Sequence, residues 1–370
     1  MPDPRTAAIP LLVLASLVGA PPGPLASEAG LPAHGARQQA SGSADPTGAA
    51  MDPAVESFLR QRLRLTTAQI GAVNRGEAVA LDLRSEVDRE IAVAGVVRIA
   101  APAERLVALV HDIERFESGE GFLATRRISE PPALEDFASL ELPAEDVAAL
   151  AKCRPGRCDV KLGQGAFDRL HEIDWKAPDV AAQVNALARQ MALDYVRAYR
   201  EGGNRELAIY LDSGRPQFVA DEFVGLTGRL RDLPDPMPAL AEYLVAYPNA
   251  ARAPGLEEFF YWSLGDFGLK PVVRLNHVVI QPARGGRTQF VIATKQLYAS
   301  HYFHTALELR ALVDDPQAPG RAHYLVVFNV ARSDGLTGLF GGVVKGKARD
   351  ASRKGLAKAL AATKRRCERP

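Results

Sequence analysis

The chain has 370 residues, 47% of them hydrophobic, with Lys+Arg of 45 against Asp+Glu of 44. That length admits two average domains, or one elaborated domain of about 250–300 residues with appendages, and the hydrophobic share supports a packed core. The near-neutral balance excludes a nucleic-acid binder built on bulk charge, although basic residues crowd roughly the last thirty positions.

Residues 1–26 have the order of a secretory signal: Arg5, an apolar run from Ala7 to Ala20, then a small-residue zone at Leu25-Ala26-Ser27. A spanning helix needs about 20 apolar residues, so cleavage near Ala20 or Ala26 is expected rather than retention as an anchor. Asp3 and Pro10 depart from the pattern. The competing reading takes Met51 as the true first residue. The expected location is therefore exported, periplasmic in a Gram-negative bacterium, or cytoplasmic if synthesis starts at Met51. Residues 27–53 are dominated by small and polar side chains with almost no large apolar one, and read as a disordered linker.

Periodicity predicts a short helix through Val55, Leu59, Leu63 and Ile70, then strands at Ala78–Leu83 and Glu90–Ala100. Pro102 opens a helix whose apolar stripe is Leu106, Leu109, Val110, Ile113 and Phe116. From about residue 131 to 254 the pattern becomes mostly helical. Segments are expected at Leu142–Ala151, Asp179–Arg200, Ala220–Leu230 and Met237–Ala246. The stripe Val180, Val184, Leu187, Met191, Tyr195 and Tyr199 reads as core packing.

Cys153 and Cys158 bracket Arg154-Pro155-Gly156-Arg157, a turn sequence able to bring two sulfurs together. A structural disulfide in an oxidising compartment is the favoured reading, with two free buried thiols as the alternative. The loop is so short that a bridge would contribute at most about 2 kcal/mol on the chain-entropy model. No second Cys pair or paired His lies near for zinc.

Strand signals return at Glu257–Leu264, Val272–Gln281, Thr288–Tyr298, Tyr302–Val313 and Ala322–Ala331. The short turns at Gly285-Gly286 and Asp314–Gly320 imply antiparallel neighbours. After Asp334-Gly335 a helix of about 30 residues is predicted, with Asp334 as its cap and an apolar face that includes Leu336, Phe340, Val344, Leu356 and Leu360. Its other faces are basic. The fold class is α+β: a curved antiparallel sheet gripping a long C-terminal helix, with an inserted helical region.

The segment Gly95-Val96-Val97-Arg98-Ile99-Ala100-Ala101-Pro102-Ala103-Glu104, the later antiparallel strands and the terminal helix together resemble the helix-grip fold of the START-like (Bet v 1-like, SRPBCC) superfamily. The resemblance covers about residues 90–130 and 255–366. On it the chain divides into 54–130 as the N-terminal part of the domain, 131–254 as the insertion, and 255–370 as the C-terminal sheet and helix. The resemblance implies a largely apolar cavity between sheet and helix, holding a lipid, sterol, polyketide or similar molecule.

Candidate pocket residues are Trp262, Phe267, Arg274, Asn276, His277, Tyr298, His301, Tyr302, His304, Asn329, Phe340 and Val344. Alternation puts Asn276 and His277 on opposite faces, and an offset of three separates His301 from His304, so no metal site is expected. Hydrogen-bonded structural histidines are the default. Adjacent carboxylates Asp221-Glu222 and Glu257-Glu258 read as solvated element ends. No nucleophile elbow, phosphate loop or zinc-helix motif occurs, Gly338, Gly341 and Gly342 form no dinucleotide fingerprint, and no cofactor or catalytic residue is assigned. The expected function is binding or transport of a hydrophobic or amphipathic small molecule in the cell envelope. The rivals are a cyclase- or hydrolase-type enzyme of the same fold using a pocket histidine, and a ligandless envelope interaction protein. The basic terminal helix suggests peripheral contact with anionic membrane and no nucleic-acid partner.

Overall fold

The computed structural model describes residues 51–119, 121–266, 270–334, 336 and 341–369. The signal and most of the linker, together with Phe267, Gly338 and Phe340, lie outside these residues. The helices are α1 (Pro53–Gln61), α2 (Thr67–Asn74), α3 (Ala103–His111), α4 (Ile113–Phe116), α5 (Ala144–Leu150), α6 (Gln164–Arg169), α7 (Val180–Gly202), α8 (Val219–Thr227), α9 (Pro238–Ala246) and α10 (Gly341–Cys367). The strands are β1 (Val79–Asp82), β2 (Glu90–Ile99), β3 (Phe122–Ile128), β4 (Ile209–Tyr210), β5 (Gln217–Phe218), β6 (Glu257–Gly265), β7 (Val272–Pro282), β8 (Thr288–Ala299), β9 (Phe303–Asp314) and β10 (His323–Ser333).

Eight strands form one open antiparallel sheet in the order β1-β2-β10-β9-β8-β7-β6-β3, while β4 and β5 make a separate ribbon. The short turns between β6 and β10 enforce this order, because antiparallel neighbours need no crossover. Strands β7 to β10 are buried along nearly their whole length. Both faces of the sheet are therefore covered. On one, Val93, Val97, Val278, Ile292, Leu312 and Val327 pack with α3, α4 and the C-terminal half of α10. On the other, Ala94, Val96, Val279, Val291, Leu309 and Val326 join α1, α2 and the insertion in the largest core.

Several elements depart from the sequence reading. Met51 is buried, and Asp52 caps α1 by accepting from the amides of Ala54 at 2.9 Å and Val55 at 3.2 Å. Residues 51–53, expected in the linker, therefore belong to the folded structure. The single short helix is two, broken where Arg64 takes φ of 56°. Strand β3 carries no clean alternation because it is a sheet edge exposing Leu123, Arg126 and Arg127. Asp334 is not the cap of the terminal helix: its carboxylate is taken by His304 and Lys161, and α10 begins at Gly341.

The Cys153–Cys158 disulfide is formed and sits in a small satellite core with Leu150, Val160, Leu162, Phe167 and Val184. Bridges of this kind persist in oxidising compartments. Among the described residues no helix is long and apolar enough to cross a membrane.

The grip of α10 on β2 depends on one glycine. A Cβ at Gly95 would lie 2.6 Å from Leu360 Cδ1 and 3.1 Å from Leu356 Cδ2. Gly95→Val should cost about 1–3 kcal/mol through overpacking. Chemical denaturation checks it, and wild-type stability in this variant would show that α10 does not bear on the sheet at Gly95.

Candidate functional site: an apolar cavity beneath the helical insertion

Between the sheet and the insertion lies a cavity of about 600 Å³. Helix α7 supplies one wall through Val184, Leu187, Ala188, Met191, Ala192, Tyr195 and Ala198. Val273, Leu275, Tyr298 and Ser300 form the floor, and Leu140, Leu142, Leu150, Val160 and Leu162 close the third side. Of the α7 stripe read as core packing, Tyr199 packs in the main core and Val180 against the satellite core, while Val184, Leu187, Met191 and Tyr195 also line this void. The alanines of α7 are too small to fill the space that the larger residues hold open.

The polar groups of the wall are already engaged by the protein. Tyr195 Oη donates to the Leu297 carbonyl at 2.9 Å and accepts from the Ala208 amide at 3.0 Å. Tyr298 Oη donates to the Lys161 carbonyl at 2.9 Å, and Ser300 Oγ accepts from the Val273 amide at 3.0 Å. The buried Lys161 ammonium is held by Asp334 and lies 3.6 Å from Asp212. Charge otherwise gathers toward the rim, where Arg169 pairs with Asp194 at 3.1 Å and Glu206 is exposed. A molecule entering this space meets hydrocarbon within and polar groups at the edge.

Tyr298 is the sequence candidate that lines this cavity among the described residues. Trp262 faces the same side of the sheet but is wholly buried, its Nε1–H donating to the Asp136 carbonyl at 2.8 Å. His277 also faces the insertion, inside an aromatic cluster. Its ring stacks on Phe260 at 4.5 Å and lies 4.7 Å from Tyr247. Burial lowers the His277 pKa, against the pull of Glu258, and so favours a neutral ring. That ring donates from Nε2 to Glu258 at 2.8 Å and accepts at Nδ1 from Tyr199 Oη at 3.3 Å. Lys295 Nζ, buried without a carboxylate and held well below its ordinary pKa by desolvation, donates to Tyr199 Oη at 3.0 Å and to Asn204. The expectation that Glu258 is a solvated strand end is corrected. Burial opposes its charge, but His277, Tyr243 and Arg252 override burial and hold its pKa at about 2. Glu222, likewise expected to be solvated, is buried and paired with Arg89 and Arg332.

His301 precedes β9 and is clasped between Asp146 Oδ2 and the Asp159 carbonyl, each at 2.8 Å, which pegs α5 to the sheet. His304 meets Asp334 Oδ1 at 2.5 Å. Tyr302, at φ of 60°, accepts from the Lys270 amide through its hydroxyl, and it and Val344 both pack against the small core that includes Phe303, Leu336 and Ala348. His277, His301 and His304 stand apart, each with its own carboxylate. Among the described residues no three His, Cys, Asp or Glu side chains converge on a metal position.

Arg274, Asn276 and Asn329 lie on the opposite, α10-facing side, in a buried polar belt that crosses the middle of the sheet. Tyr261 Oη donates to Glu117 Oε1 at 2.7 Å, and Arg274 reaches Ser263 Oγ at 2.9 Å and Glu117 Oε2 at 3.4 Å. Arg310 pairs with Glu308, which also accepts at 2.8 Å from Asn329 when that amide is turned to donate. Cross-strand register puts Asn276 opposite Tyr261 and Gln296, and Glu308 opposite Thr294 and Asn329. Burial raises the Glu308 pKa to about 7, against the lowering pull of Arg310.

Comparisons with protein-family models, with characterised proteins and with solved structures find no match to this chain.

The shifted carboxylates set a pH profile. Glu258 at about 2, against 4.5 when unperturbed, and Asp334 at about 2, against 3.8, stabilise the fold above about pH 4.5 and lose that contribution as pH falls toward 2. Glu308 works the other way: raised to about 7, it stabilises fully below 4.5, and that contribution is lost as pH rises through 7. Denaturation measured from pH 2 to 8 should show Glu258→Gln flattening the acid limb and Glu308→Gln flattening the decline between 4.5 and 7. An unchanged profile in either variant would contradict the corresponding assignment.

Proposed function

We propose that this protein binds and carries a hydrophobic or amphipathic, lipid-like molecule in the cavity beneath the helical insertion, as an exported START-like protein of the cell envelope. The supporting observation is the cavity itself, whose interior polar groups are already hydrogen-bonded within the protein. Its volume of about 600 Å³ falls within the roughly 300–1,000 Å³ usual for small-molecule sites. A site whose donors and acceptors are engaged offers little to a polar substrate, while an acyl or isoprenoid chain gains by leaving water. The rim charges at Arg169, Asp194 and Glu206 suit a head group left at the edge.

The antiparallel sheet with its packed terminal helix is compatible with the helix-grip architecture. The reading departs from that family's habit by placing the ligand on the other face of the sheet. A pocket-histidine enzyme has less support, since His277, His301 and His304 are each committed to a carboxylate and are not among the residues lining the cavity. The disulfide accords with export into an oxidising compartment.

Native mass spectrometry of protein purified from its own source, with lipid extraction, should reveal a copurifying acyl or isoprenoid lipid. Ala188→Trp fills the cavity from α7 and should weaken lipid binding at least about tenfold, or 1.4 kcal/mol, with little change in melting temperature. No copurifying lipid together with no binding across a broad lipid panel would remove this function.

A further inference from the structure

The ribbon β4-β5 sits beside the cavity wall. Ala208, the residue before β4, lines the cavity, and the Leu211 amide donates to the carbonyl of the lining residue Leu162 at 2.8 Å. Ile209 and Phe218 are directly paired across this ribbon, so their side chains share one face, and they are 44% and 49% exposed. Two large apolar side chains paired outward on so short a ribbon are not explained by the fold of the chain itself.

The disulfide loop is fastened to the same ribbon. The Gly156 amide donates to the Leu211 carbonyl at 2.7 Å, and the Cys158 amide to the Asp212 carbonyl at 2.9 Å. This brings Lys152, Arg154 and Arg157 alongside Arg215 of the β4-β5 turn, and all four are exposed. None of these four has an ion-pair partner among the described residues. The segments 152–158 and 213–218 contain no acidic residue. Asp212 between them is turned inward toward Lys161, and the nearby exposed Asp159 is occupied by Lys270 at 3.6 Å.

Several cations of the basic terminal helix are already engaged by the protein itself. Lys345 and Lys364 donate to the carbonyls of Val87 and Arg98, and Arg366 donates to that of Phe116. Lys354 pairs with Asp350 at 2.8 Å, and Arg353 pairs with the same carboxylate.

We propose that the disulfide loop and the β4-β5 ribbon form a docking surface for an anionic phospholipid bilayer, with Lys152, Arg154, Arg157 and Arg215 against the head groups and Ile209 and Phe218 entering the interface. The proposal rests on the lipid-carrier reading for its purpose, because docking here brings the wall of the cavity to the lipid. The physics is the general one: each cation near an anionic surface contributes a small screened attraction, and the apolar pair adds area buried from water. The disulfide then has a role beyond its small stabilisation, since it fixes the loop that carries two of the arginines.

The test is sedimentation of the purified, oxidised protein with vesicles of phosphatidylglycerol and phosphatidylcholine, against pure phosphatidylcholine vesicles. Binding is expected to the anionic vesicles alone and to weaken steeply between 0.05 and 0.5 M salt, concentrations chosen to span roughly a threefold change in screening length. Arg154→Glu/Arg157→Glu/Arg215→Glu should weaken it about a hundredfold, and Ile209→Ser/Phe218→Ser about tenfold, with melting temperatures unchanged. Lys347→Glu/Lys354→Glu on α10 should leave it intact. No sedimentation with anionic vesicles, equal binding by the triple variant, or loss through the α10 variant instead would overturn the proposal. So would binding of polyglutamate without binding of vesicles, which would assign the surface to an acidic protein. Lipid displacement assayed without vesicles separates the outcomes: intact ligand binding with absent docking sinks the surface alone, and the converse sinks the carrier alone.

Discussion

The structure depends on an eight-stranded antiparallel sheet that must be covered on both faces. Such sheets commonly leave one face to water and show it as strict alternation. Here β7 to β10 are buried almost continuously, so each face requires a partner of its own. The terminal helix covers one face over β1 and β2, aided by α3 and α4, and the close approach at Gly95 lets it sit directly on the strands. The insertion covers the other. Residues 131–254 fold onto that face and share its core.

Burying both faces also buries charge, and the molecule handles this by pairing rather than by exclusion. On the α10 side, Glu117 with Arg274 and Glu308 with Arg310 bring two carboxyl and two guanidinium groups into the sheet centre. An isolated buried charge would be costly, and breaking one partner of such a pair typically costs several times what the intact pair contributes. On the insertion side, Lys295 has no carboxylate, and its ammonium instead lies 4.0 Å from the centroid of the Phe223 ring while donating to Tyr199 and Asn204. These networks fix which side chains face each other, because the wrong register would strand a charge in hydrocarbon.

The cavity follows from how the insertion is attached. The contacts that hold it near the void are pegs: His301 to Asp146, Lys161 to Asp334, and the hydroxyls of Tyr195, Tyr210 and Tyr298 to backbone groups of the facing segment. Pegs set a separation without filling it. Where the α7 stripe alternates large residues with Ala188, Ala192 and Ala198, the space between pegs remains open. Close-packed interiors are the rule in proteins, so a void of this size held by satisfied polar posts is better suited to a guest than to rigidity alone.

Much of the fold was legible in the chain. Strands β6 to β10, helices α7 and α10, the glycine hairpin and the cysteine turn are all dictated by local periodicity and turn chemistry, which act over a few residues and leave a pattern. The weakly patterned edge strand β3 and the break at Arg64 were not legible, because an edge strand is half exposed and a left-handed residue other than glycine carries no signature. The site was less legible still. Arg274, Asn276, His277 and Asn329 were rightly singled out as polar groups within strands, yet register put three on one face and one on the other, and none lines the cavity. The cavity wall read as ordinary core because an apolar stripe looks the same whether its neighbour fills it or stands off. Composition and periodicity determined that an antiparallel sheet, a terminal helix and a helical insertion would form. Which face the insertion covers, and that it covers it at a distance, was decided by tertiary pairing between residues more than a hundred positions apart, such as Asp146 with His301 and Lys161 with Asp334.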